Sequence, residues 1–212
     1  INPKAIKWQL KAELGKVDSK GILTVGKKEM LGSLTAKVGN TISTAEVKIG
    51  NGSVVIANLE DTSNMETKTA RAQLKASTIL ATEQKEFVKS GKGSLKLEYN
   101  FNKEEETSAA YLKFKEPIKV AGKPTKIGLW VYGNKSLHWL RGTYINALGE
   151  RKTINFTEIG GLDWDGWKLV TADISKDEEH PIAIEQIYIA EPEADKKDAG
   201  SIILDELTAI YE

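Results

Sequence analysis

No cysteine occurs anywhere in the 212 residues. Disulfides, thiolate zinc sites and cysteine nucleophiles are thereby excluded. The compartment stays open, because an exported bacterial protein can also do without cysteine. Histidine is almost as scarce, with only His138 and His180, so a histidine-based metal centre lacks ligands. The Gly-x-Ser-x-Gly elbow of serine hydrolases is missing too. Thirty basic residues cancel thirty acidic ones, which removes the long-range field expected of a nucleic-acid binder or a polybasic membrane protein. No apolar run approaches the roughly 20 residues that span a bilayer. The chain opens at Ile1 with no initiator methionine, basic leader or apolar leader core. It therefore reads as an excised piece of a longer protein whose export signal lay upstream.

What the chain does have is alternation. Ser33–Val38, Ser94–Tyr99 and Ala110–Phe114 place apolar side chains on one face at period two, as half-buried strands do. Turn signals follow at Asp18–Gly21, Val38–Asn40, Tyr132–Lys135 and Asn146–Gly149, where glycine or asparagine tolerates positive φ. Short strands at this spacing predict an antiparallel sandwich. The segment Ala70–Thr78 tests that reading, because its residues favour helices by propensity. Ala70, Ala72, Leu74 and Ala76 nevertheless alternate with Arg71, Gln73, Lys75 and Ser77. A helix would scatter those apolar positions around its circumference, so the period predicts a strand. Residues 82–92 are polar and read as a loop.

Gly50-Asn51-Gly52 ends one strand pattern before a new apolar run, Val54–Ala57, and marks a boundary between residues 1–52 and 53–212. The first piece supplies about four strands, fewer than a stable sandwich core needs. It is expected to be truncated or to lean on its neighbour.

Trp8, Leu14–Gly21, Leu23-Thr-Val25, Gly32–Lys37 and Val47-Lys-Ile49 follow one another as the later strands of bacterial immunoglobulin-like repeats do, and residues 8–49 resemble such a repeat without its first strands. Residues 53–212 resemble the galactose-binding-like jelly-roll sandwiches of carbohydrate-binding modules. The likeness rests on Asn58-Leu-Glu-Asp61, Ser90–Leu97, Leu129–Gly133, Gly166-Trp167 and Ile203–Leu207 in that order. Together the pieces are similar to the C-terminal accessory region of bacterial phosphodiester glycosidases, the N-acetylglucosamine-1-phosphodiester α-N-acetylglucosaminidase-like proteins. That family's catalytic domain is missing here and is expected upstream in the same polypeptide. The resemblance implies an all-β fold, a secreted or wall-associated location, and a non-catalytic module that binds wall or extracellular polysaccharide. The alternative it leaves open is a spacer that positions the catalytic domain without touching sugar. The triplets at Asn51, Asn134 and Asn155 would be glycosylated only in a eukaryotic secretory pathway and are discounted.

Five tryptophans concentrate the candidate chemistry: Trp8 aside, they fall at Trp130, Trp139, Trp164 and Trp167. If Leu140 and Tyr144 face the core, alternation turns Trp139, Arg141 and Thr143 to the opposite face. An indole can stack on a pyranose while a guanidinium donates to hydroxyls, a uronate or a phosphate. Trp139 could instead cover its sheet under a loop. His138 could donate to a sugar hydroxyl and Trp164 could rim a groove. Trp167, at a strand start, is expected to anchor the core. By resemblance, a structural calcium would use Glu60 on the opening strand, Asp205 on the closing strand and the carbonyl of Lys92, with Asp61 as a substitute for Glu60; calcium requires six to eight such oxygens. Ser90-Gly-Lys-Gly-Ser94 lacks the spacing of a phosphate loop and reads as a turn. No pair of carboxylates stands out for glycoside hydrolysis.

Overall fold

The computed structural model describes residues 5–10, 12–25, 30–50, 52–102 and 105–212. Asn51, at the centre of the expected boundary, lies outside the described residues. The chain divides into two compact units, Ile1–Gly52 and Ser53–Glu212. In the first, β1 (Lys7–Leu10), β2 (Gly15–Val17), β3 (Leu23–Val25), β4 (Met30–Val38) and β5 (Thr41–Ile49) form a β1-β4-β5 sheet and a separate β2-β3 hairpin. Leu14 is fully buried there, and a β-carbon on Gly32 would overlap it at 2.2 Å.

The second unit is built from β6 (Gly52–Ala57), β7 (Met65–Ala70), β8 (Ala72–Leu80), β9 (Gly93–Phe101), β10 (Ser108–Val120), β11 (Lys126–Asn134), β12 (Trp139–Ile145), β13 (Arg151–Asn155), β14 (Asp165–Asp173), β15 (Ile182–Glu191) and β16 (Ala199–Tyr211). One sheet has the order β13-β12-β15-β10-β7; the other runs β14-β11-β16-β9-β8, with β6 paired to β16. The strands of both sheets pair antiparallel among the described residues, and the period-two pattern drives both inner faces together. Leu112, Leu140, Ile187 and Ile189 from the first sheet join one core with Leu97, Leu129, Val131, Leu204 and Leu207 from the second. The fold is an all-β sandwich, as the alternation predicts.

The Ala70–Thr78 segment shows both the power and the limit of period. Residues 72–80 do form a strand, and Ala72, Leu74 and Ala76 pack against the core. Ala70, however, ends β7 in the opposite sheet. Arg71 between them has φ of 48° and carries the chain from one sheet to the other. Alternation runs through this corner unbroken, so the sequence pattern conceals it.

Candidate functional site

The outer face of the five-stranded sheet collects aromatic and cationic side chains in register. Leu140 and Tyr144 of β12 are buried in the core, which sends Trp139, Arg141 and Thr143 to the other side. Arg141 lies opposite Asn155 on β13 and Tyr188 on β15, Tyr188 lies opposite Tyr111 on β10, and Tyr111 lies opposite Lys68 on β7. One row, Asn155–Arg141–Tyr188–Tyr111–Lys68, thus crosses all five strands. The neighbouring row is Trp139–Ala190–Ala109–Ala70, with small side chains beside the aromatic one. Ala109, Tyr188 and Ala190 form a buried apolar cluster separate from the main core, with Ala70 and Tyr111 packed on it.

Contacts within this face are specific. The Arg141 guanidinium lies 3.8 Å above the Trp139 ring and 5.6 Å from that of Tyr188. Arg141 Nε donates to Asn155 Oδ1 at 2.9 Å, and Trp139 Nε1 donates to the Thr157 carbonyl at 2.8 Å. The rings of Tyr111 and Tyr188 are 4.8 Å apart. Burial pushes the Tyr188 hydroxyl above the usual phenol range, against the pull of the Arg141 charge. Trp139 and Arg141 therefore share a surface, but as a stacked pair, so one face of the indole is taken by the guanidinium. Tyr111 and Tyr188 complete the row; strand pairing brings them there, a relation no single-strand pattern reveals.

His138 does not belong to this surface. Its ring is 0% exposed, with Nδ1 2.8 Å from Glu191 Oε2 and Nε2 2.8 Å from Asp198 Oδ1, beside Tyr99 and Phe101. The expectation that it donates to a sugar is corrected by this burial: both nitrogens already have carboxylate partners. Trp164 is also elsewhere. It packs at the edge of the main core, its Nε1 donates to the Val131 carbonyl at 3.3 Å, and Lys168 Nζ sits 4.6 Å over its ring. It lies with the other sheet, away from the Trp139 face.

The aromatic patch on the outer face of that other sheet is covered by the chain itself. Lys89 Nζ lies 4.0 Å over Trp130, Phe87 meets Tyr132 edge-on at 5.0 Å, and Trp167 Nε1 donates to the Glu86 carbonyl at 2.9 Å. Trp167 consequently lies against Tyr132 on this outer side, 5.6 Å between centroids, and is not the core anchor expected of it. The 82–92 loop shields these aromatics.

The same loop is gripped by two carboxylates. Glu60 Oε1 accepts the Lys92 amide at 2.8 Å, while Asp205 Oδ2 accepts the amides of Lys89 and Ser90 at 2.9 and 3.1 Å. Asp205 is 0% exposed, and burial pushes its carboxyl up to about 6 despite these amides. Among the described residues no cation pairs with it. The second Asp205 oxygen, Oδ1, accepts the Glu206 amide at 2.8 Å, and among the described residues no group of three or more His, Cys, Asp or Glu side chains gathers into a metal cluster. The Lys92 carbonyl accepts the Ala81 amide at 2.9 Å and retains a second lone pair. Asp61 is not brought to the loop: its Oδ1 accepts the Ser63 amide at 2.7 Å, and the two hydrogen bonds from Ser63 hold its carboxyl below the usual range.

A polar cleft of about 450 Å³ opens at Tyr144, Asn146, Glu150, Asp177 and Glu178. There the Tyr144 hydroxyl donates to Glu178, and Asn146 Nδ2 donates to both Glu150 and Glu178 at 2.9 Å. These groups satisfy one another.

A comparison with protein families finds no match, and none of the curated proteins matches. Solved structures do. One, described as the structural basis for the promiscuous specificity of carbohydrate-binding modules from the β-sandwich superfamily, aligns with TM-score 0.51 and 13% identity over 95% of this chain and 82% of that one. The family 11 carbohydrate-binding module of a cellulosomal cellulase of Clostridium thermocellum aligns with TM-score 0.46 and 12% identity, over 77% of this chain and 97% of that one. At these identities the first likeness establishes the sandwich fold. No helix among the described residues is long and apolar enough to cross a membrane.

Proposed function

We propose that residues 53–212 act as a non-catalytic carbohydrate-binding module whose binding surface is the outer face of the five-stranded sheet. The observation that carries the reading is the continuous run Trp139, Arg141, Tyr188 and Tyr111 across three strands, beside the alanine row. Strand spacing of about 4.8 Å makes that run about 10 Å wide. Tyr111 and the open face of Trp139 offer apolar surface to sugar C–H groups, Tyr188, only 6% exposed, backs them, and the flanking polar groups offer hydrogen bonds. The likeness to carbohydrate-binding modules supports the reading through fold alone.

In the fuller reading, the chain is an accessory region of a secreted or wall-associated bacterial glycosidase, with a phosphodiester glycosidase as the parent enzyme. The first unit serves as an immunoglobulin-like spacer, and the ligand is wall or extracellular polysaccharide. An open sheet face pays the usual association cost without enclosing its ligand, so single-site affinity is weak and attachment relies on multivalency. The test is a glycan-array screen of the whole chain beside Trp139→Ala, with folding checked by circular dichroism. Loss of binding in the variant supports the module. Binding by neither protein sinks it in favour of a spacer.

A calcium ion accompanies this proposal. Glu60, Asp205 and the Lys92 carbonyl are the groups that would hold it, and its charge would neutralise the buried Asp205 while pinning the 89–92 loop. Calcium added after chelation should raise the melting temperature, since a ligand bound only by the folded state stabilises it. An unchanged melting temperature removes Glu60 and Asp205 as ligands.

A further inference from the structure

Resting on that binding face, we infer that it selects acidic glycans, with Arg141 as the residue that takes the anionic group. On this sheet Lys68 and Lys113 share the carboxylate of Glu66, at 3.8 and 3.6 Å, and Arg151 grips Glu185 with its Nε 2.5 Å from Oε2 and its Nη2 2.7 Å from Oε1. Arg71 at the edge holds Glu106 at 2.6 Å. Arg141 has no carboxylate partner among the described residues. A chain with no net charge therefore keeps surplus positive charge on this one face.

Position adds to charge. The Arg141 guanidinium is fixed in three ways: stacked 3.8 Å over Trp139, near Tyr188 at 5.6 Å, and hydrogen-bonded through Nε to Asn155 Oδ1. Its Nε is spent on that bond, while the fork of its two terminal nitrogens is left to donate. A guanidinium held this way has already lost its rotamer freedom, so a bidentate bond to a carboxylate or phosphate costs little further ordering. Because the guanidinium covers one face of Trp139, the indole supports the arginine, and the half-buried ring of Tyr111, unlike the buried Tyr188, becomes the platform for an adjoining sugar. The ligand chemistry is thus a sugar ring carrying an oxyanion, supplied either by a uronate or by a phosphodiester-linked glycan.

Affinity electrophoresis of the whole chain in gels containing polygalacturonate, carboxyl-reduced polygalacturonate, or a poly(glycerol phosphate) teichoic acid tests this. The native chain should bind at least one acidic polymer about tenfold more tightly than the reduced polymer, the scale of one charge-assisted bidentate contact. Whichever acidic polymer is retained more strongly identifies the carboxylate or the phosphate as the source. Arg141→Gln should bring acidic and neutral affinities together without unfolding the chain, as read by circular dichroism. Equal retention by acidic and reduced polymers overturns the inference and leaves carbohydrate binding standing. Retention by no polymer and by no neutral glycan on the array overturns both.

Discussion

A β-carbon on Gly91 would stand 1.9 Å from Oε1 of Glu60, the same oxygen that accepts the Lys92 amide. Gly91 also has φ of 67°, a conformation that strains any L side chain. The glycine is thus what lets the loop close on the carboxylate. Gly91→Ala should cost about 2–3 kcal/mol, combining the left-handed strain with the loss of one hydrogen bond. Glu60→Gln, which keeps an acceptor oxygen, should cost under about 1 kcal/mol. Urea unfolding measures both, and a Gly91→Ala variant as stable as the parent would show that the loop closes in another way.

His138 supports the sheet from below its binding face. Removing it as His138→Leu leaves Glu191, only 2% exposed, without its ring partner. The expected loss is about 3–5 kcal/mol, because an uncompensated buried charge is the dominant cost. Replacing both members, His138→Leu with Glu191→Met, removes that charge and should recover most of the stability. A double variant whose loss is the sum of the two single losses would mean that the pair is not energetically coupled.

Period-two alternation made the sandwich legible, and it correctly sent Trp139 and Arg141 to one face and Leu140 and Tyr144 to the other. It works because burial on one side of a pleated strand leaves a direct trace in sequence. The corner at Arg71 left no such trace. Tyr111 and Tyr188 were not foreseen on the candidate face because they reach it through pairing between strands far apart in the chain, and register is not written in either strand alone. His138 is hidden from a sequence reading for the same reason: at the edge of a strand, its burial depends on Glu191 and Asp198 more than 50 residues away. Trp167 shows that a large indole beside a strand start can be covered by a loop just as well as by a core.

The Arg151–Glu185 pair gives a pH signature. Arg151, with its bidentate grip, holds the Glu185 carboxyl below its ordinary value, outweighing the opposing effect of burial. A carboxyl depressed in the folded state contributes stability above its unfolded value, near 4.5, and loses it as pH falls through the folded value. Arg151→Gln should therefore lower stability at pH 7, by an amount limited by solvent screening of the exposed arginine. The gap between parent and variant should shrink as pH drops below about 4.5. Denaturation at pH 3.5, 5 and 7 reads this directly, and a gap that stays constant would exclude Glu185 as the titrating group.

Tyr111 separates binding from folding. It packs on the small outer cluster rather than the main core, and its strongest aromatic partner is Tyr188. Tyr111→Ala should therefore destabilise the chain by only about 0.5–1.5 kcal/mol, the range of such ring pairs. If the row is the saccharide platform, the same change should weaken glycan binding about tenfold, equivalent to about 1.4 kcal/mol. Tyr132, beneath the 82–92 loop on the opposite face, is the internal control: Tyr132→Ala disturbs Phe87 and Trp167 and should lower the melting temperature, yet leave glycan affinity unchanged. Calorimetric titration of both variants with the best glycan from the array decides between the faces. Equal loss of affinity in the two would mean that ligand binding follows overall stability, and the outer row of the five-stranded sheet would no longer be the site.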